Sequence, residues 1–89
     1  MREIRIRLMS YDEARDKLEM ELNEAFMAGE TRVQVLHGIG TGALKRLTEK
    51  TVRGYDFASL VEDPAVYNPG VTLVDLLPPS KSDLRKYRA

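Results

Sequence analysis

The chain's only histidine, His37, heads the six residues HGIGTG, 37–42. A β-like run, TRVQVL, ends just before it, and a helix-like run, ALKRLTEK, begins just after. Gly38, Gly40 and Gly42 let the backbone approach a ligand with no Cβ in the way. A helix starting next to such a loop offers unpaired N–H groups and the positive end of its dipole. Together these make an anion site, with a phosphate as the natural occupant. Thr41 adds a hydroxyl, and Lys45 and Arg46 fall in the first turns of the next helix, within reach of flanking phosphates. His37 can move a proton near neutral pH. One imidazole cannot hold a metal alone, and no carboxylate spacing builds a metal site around it. The competing reading is a tight strand-to-helix connection, with His37 bonded to backbone and Lys45 and Arg46 simply solvated. Asp75, on a late strand, is either a partner for His37 or a solvent-facing strand residue.

The elements that would carry these residues follow from periodicity. IRIRLM alternates, with Ile4, Ile6 and Leu8 on one face and Arg5 and Arg7 on the other, as in a half-buried strand. The two arginines either extend a basic surface or protect a sheet edge with charge. Ser10 and Glu13 have the spacing of a capping box. From Tyr11 to Ala28, Ala14, Leu18, Leu22 and Ala25 or Phe26 form one apolar stripe. Glu13 with Lys17 and Arg15 with Glu19 are opposite charges at i, i+4. Gly29 ends that helix. TRVQVL is a second strand with Val33 and Val35 on one face. Thr41 can cap a second helix running to about Arg53, with Ala43, Leu44, Leu47 and Val52 inward and Gly54 as its stop. A third strand lies around FASLVE, DPAVYNPG is a turn or loop, and VTLVDLL is a fourth strand. The order β-α-β-α-β-β predicts an α/β two-layer sandwich. Its four-stranded mixed sheet has the first strands parallel, the last two as an antiparallel hairpin, and both helices on one face. Residues 1–77 form this domain and 78–89 a basic C-terminal tail.

Eighty-nine residues with 43% hydrophobic content allow one small domain with an ordinary core. There is no cysteine, so neither a disulfide framework nor a thiolate metal site is available. No apolar run approaches the roughly 20 residues of a membrane span, and MREIRIRLMS is not a signal peptide. A cytoplasmic, cofactor-free monomer with no metal is the expectation. The formal net charge of zero hides a strong partition: residues 1–9, 30–54 and 77–89 carry +2, +3 and +3, whereas 10–29 and 55–76 each carry −4. The positive blocks are the first strand, the glycine loop with its helix, and the tail, so a basic face can exist on a neutral chain.

The loop His37, Gly38, Gly40, Thr41 and Gly42 matches in full the His-Gly-x-Gly-Thr-Gly motif of the small MutS-related, or Smr, domain. Asp12, Glu13 and Ala14 resemble that family's helix start. Gly70, Val71, Thr72, Leu73, Val74, Asp75 and Leu76 resemble its late strand, Gly-Val-Thr-Ile-Val-Glu-Leu. The likeness runs from about Ile4 to Leu76. It implies a fold similar to the C-terminal domain of bacterial translation initiation factor three. It also implies DNA or structured RNA, and the ribosome, as partners, in DNA repair and recombination or ribosome-associated RNA processing. Family members begin Leu-Asp-Leu-His-Gly, or Leu-Asp-Leu-Arg-Gly in the second MutS family. Here Arg7 agrees with the arginine version, but the acid is Arg5 and the glycine is Leu8. The family associates that acid and the first-motif histidine with nuclease activity, and this chain has neither. Three readings stay open. The first is a phosphate-directed nucleic-acid binder using Arg5, Arg7, His37, the loop, Lys45 and Arg46. The second is a metal-independent nicking endonuclease or endoribonuclease with His37 and Arg7 catalytic. The third is a protein-interaction module whose loop is structural.

Overall fold

The computed structural model describes residues 1–79. The elements run β1 (Arg2–Arg5), α1 (Tyr11–Met27), β2 (Arg32–Leu36), α2 (Ala43–Arg53), β3 (Ala58–Leu60), a 3-10 turn (Pro64–Val66) and β4 (Val71–Leu76). They form the open two-layer α/β architecture read from the sequence, with one mixed sheet in the order β1-β2-β4-β3. β1 pairs parallel to β2, while β4 runs antiparallel to both β2 and β3. The expected tail lies almost wholly on 80–89, outside the described residues.

Side-chain parity decides what each strand contributes. Ile4 and Ile6, Val33 and Val35, and Val74 and Leu76 are buried against Ala14, Leu18, Leu22 and Ala25 of α1 and Leu47 and Val52 of α2. This is the period-2 face of a sheet meeting the period-3.6 stripes of two helices. Phe26 stacks on Phe57 at 4.0 Å between centroids, and Phe57, next to β3, packs against the core. The opposite face of the sheet carries paired polar groups: Arg32 and Asp75 bond side by side, and Glu3 takes Arg5 and a hydrogen bond from Gln34.

The first helix begins as expected: Ser10 Oγ accepts from the Glu13 N–H at 3.3 Å and donates to the Glu13 carboxylate at 3.1 Å. It ends with Gly29 at φ 77, where Gly29 N–H donates to Phe26 O and Glu30 N–H to Ala25 O. That six-to-one and five-to-two pairing is the Schellman arrangement, and it needs the left-handed residue that glycine supplies.

Three expectations are corrected. Leu8 does not continue the apolar face of β1. The strand ends at Arg5, and Leu8 sits in the following turn, 91% exposed, at φ 66. Thr41 is not the cap of α2; Gly42 holds that position at φ 84, and Thr41 Oγ1 accepts a long 3.4 Å bond from the Ala43 N–H. On α1, Lys17 pairs with Glu21 and Arg15 with Asp12 and Asp16, so neither expected i, i+4 pair forms. Among the described residues no helix is long and apolar enough to cross a membrane.

Candidate nucleic-acid interface

β2 and β4 deliver the loop. His37 and Gly38 continue past the end of β2, and their N–H groups both donate to Gly70 O, at 3.1 and 3.0 Å, at the head of β4. By alternation from Val33 and Val35, His37 points to the helix side and is only 4% exposed. Its Nδ1 lies 2.7 Å from Gly38 O and its Nε2 lies 2.8 Å from Thr72 Oγ1. A carbonyl only accepts, so Nδ1 carries the proton. In the neutral ring Nε2 then accepts from the Thr72 hydroxyl. Both nitrogens are therefore engaged inside the protein, and neither lone pair nor proton is offered to a substrate.

The turn beyond His37 leaves the amides of Ile39, Gly40 and Thr41 without an acceptor among the described residues. Gly38, Gly40 and Gly42 have φ values of 76, 40 and 84. Gly42 N–H closes a turn onto Ile39 O at 3.2 Å, and the first helical bond of α2 runs from Arg46 N–H to Gly42 O at 3.0 Å. The N–H groups of Ile39, Gly40, Thr41, Leu44 and Lys45 have no acceptor within the described residues. At the N-terminus of α1, Ser10 and two acids fill this role; α2 has no side-chain cap bond to its Gly42 cap and no acid in its first turn. The positive end of its dipole stays unneutralised.

Arginines border the loop. A Cβ on Gly38 would stand 3.2 Å from Arg7 Cγ, and one on Gly42 3.1 Å from Arg46 Nη1. The glycines thus let two arginine side chains lie along the turn. Of the ten lysines and arginines described, Arg2, Arg5, Arg15, Lys17, Arg32 and Arg53 pair with carboxylates. Arg7, Lys45, Arg46 and Lys50 do not. Asp75, through its hydrogen bond first and its charge second, holds the Arg32 guanidinium above its ordinary value. Arg7, His37 and the loop line one cavity of about 610 Å³, walled by Leu8, Leu36 and Ile39.

The structure therefore brings together Arg7, His37, Gly38, Gly40, Thr41, Gly42 and Arg46. It sets two other candidates apart. Arg5 lies on the open sheet face, paired with Glu3. Lys45 turns its ammonium over the Tyr67 ring, 5.4 Å from the centroid, and lines a second cavity of about 420 Å³. Asp75 is bound to Arg32 on the opposite face from His37, so it is a strand residue and not the histidine's partner. Sequence reasoning missed Thr72. Parity could have found it: Thr72 shares the inward side with Val74, and it stands opposite Val35, two residues before His37.

The Smr domain family model matches residues 4–76. The chain is 34% identical over 80 residues to "Endonuclease MutS2" of Geobacillus kaustophilus, and 32% identical over 76 residues to "Putative endonuclease MutS2" of Bacillus subtilis. Each match takes in 83% of this chain and 10% of the relative. The crystal structure of the Smr domain of Thermus thermophilus MutS2 superposes with a TM-score of 0.78 at 31% identity, over 88% of this chain and all of that one.

Proposed function

Because the chain belongs to the Smr domain family, we propose that it binds nucleic acid through the phosphates, on the loop from Gly38 to Gly42. The observation that carries this is the row of amides at the uncapped start of α2 that have no acceptor among the described residues, bordered by two arginines with no carboxylate partner there. An anion there satisfies orphan donors and the dipole together. DNA and structured RNA both supply such phosphates. Repair and recombination, or ribosome-associated RNA processing, is the proposed setting for a chain that spans about a tenth of the length of its curated relatives. Titration with inorganic phosphate and then with oligonucleotides, followed by amide chemical shifts, tests the placement. The largest shifts belong at 38–46; a maximum elsewhere sinks it. Binding should weaken steeply with salt, because phosphate contacts release counterions. Salt-insensitive binding would instead favour the protein-interaction reading.

A second reading rests on the name the relatives carry, endonuclease. Cutting needs a proton acceptor in line with the attacked phosphate. His37 is the only histidine, and its Nε2 is already taken by Thr72. The acid that the Smr resemblance places in β1 is Arg5. We therefore propose that cleavage is weak or undetectable while binding is intact. Nicking of a supercoiled circle in the presence of a chelator, with His37→Ala and Arg5→Asp alongside, decides this. Robust metal-independent cleavage that His37→Ala abolishes would establish the nuclease.

A further inference from the structure

Leu8 is out of place by every structural criterion. It is almost fully exposed, and it holds φ 66, the left-handed region that disfavours a side chain. Nothing in the core requires it. A strained exposed residue is best read as serving a ligand. Ile39, the single non-glycine between Gly38 and Gly40, is 67% exposed and walls the same cavity. That cavity, about 610 Å³, is far larger than a phosphate needs.

We infer that Leu8 and Ile39 clasp the base of an unpaired nucleotide whose phosphate lies on the glycine loop. The inference deepens the proposed function and rests on it. The occupant must carry an anion, for the free amides and Arg7 and Arg46, and an apolar flat face beside it, for the two aliphatic walls. A nucleotide has both, with its base and phosphate joined through one sugar. In a duplex the base is stacked and paired inside, so only an unpaired nucleotide can present both groups to one cavity. Base faces are alike in being apolar, so the clasp discriminates single strand from duplex and not one sequence from another.

The test measures affinity by fluorescence anisotropy for a labelled single-stranded 12-mer and for its duplex, at one salt concentration. A 2-aminopurine within the 12-mer reports burial of a base. Leu8→Asn keeps the left-handed turn, which asparagine tolerates, and removes the apolar wall. Ile39→Ser is the second variant. The single strand is expected to bind more tightly than the duplex. Each variant should weaken single-strand binding by roughly five- to tenfold, toward the low end for loss of a stacking contact. Leu8→Asn should leave duplex affinity unchanged and abolish the 2-aminopurine response. Equal loss on both nucleic acids, or no loss on either, overturns the clasp. So does a parent protein that self-associates in sedimentation and is made monomeric by Leu8→Asn, since the apolar pair then serves a second copy. Duplex binding with no single-strand preference sinks the clasp alone; absence of all nucleic-acid binding sinks the proposed function with it.

Discussion

Thr72→Val removes one hydroxyl and keeps the β-branched shape. In the folded protein it leaves Nε2 of His37 without a donor in a site where the ring is 4% exposed. An unsatisfied buried acceptor costs about 1–3 kcal/mol. In a domain this small, each kcal/mol moves the melting temperature by about 4–8 °C. A fall of roughly 5–20 °C is therefore expected, read by thermal or urea unfolding. Thr72→Ser restores the donor and gives up one methyl, so it should recover most of the loss. Nitrogen NMR of the imidazole supplies an independent check, because the neutral ring should carry its proton on Nδ1, facing Gly38 O. Three results would refute the reasoning. Valine could prove as stable as threonine. Serine could fall as far as valine, which would blame the methyl and not the hydroxyl. The proton could be found on Nε2.

Arg7→Gln and Arg46→Gln should each make the slope of log K against log salt shallower by about 0.9 on duplex DNA. Lys45→Gln should leave it unchanged, since Lys45 sits over Tyr67; a filter-binding salt series separates the three. Gly42→Ala places a Cβ at φ 84, where an L residue costs about 1–2 kcal/mol, and should lower the unfolding midpoint accordingly. The nearby Arg46 Nη1 is the end of a flexible chain and can swing aside, so the strain is the larger part. Leu8→Gly should raise stability by about 1 kcal/mol in urea unfolding, because it relieves the same left-handed strain with no core contact to lose.

The fold was legible because its signals are local or periodic. The α1 stripe, the Ser10–Glu13 cap and the Gly29 stop each lie within one turn of the residues they govern. The site was legible in its backbone but not in its side chains. A glycine-rich turn before a helix announces free amides, and those of Ile39, Gly40 and Thr41 are the ones with no acceptor among the described residues. The destinations of Lys45 and Arg5 depend on residues distant in sequence: Tyr67 draws the lysine away from the loop, and Glu3 holds the arginine on the other face. Leu8 was misread because alternation was extended past the point where β1 stops. The turn after Arg5 is set by Ile6 and Arg7 N–H groups both reaching Leu36 O, a pairing with another strand that no pattern in IRIRLM contains.

Local pairing also explains how a chain with no net charge can present an anion site. The acids of α1 and its neighbours take up Arg2, Arg15 and Lys17, and the open sheet face pairs Arg5 with Glu3 and Arg32 with Asp75. Charges paired at contact distance largely cancel a few ångströms away, and salt screens what remains over about 10 Å. Glu13, Glu19, Asp56, Glu62 and Asp63 also lack a basic partner among the described residues, so positive potential is a local matter of where the described cations without a carboxylate lie. All four flank or follow the glycine loop: Arg7 lies along it, and Lys45, Arg46 and Lys50 belong to the helix it starts. The dipole of α2 adds to them at its N-terminus, where no acid opposes it. Breaking the Arg32–Asp75 pair by Asp75→Asn should leave affinity at the loop nearly unchanged, because the freed guanidinium faces the other side of the sheet. A large gain in nucleic-acid affinity in that variant would place the binding surface on the open face of the sheet instead.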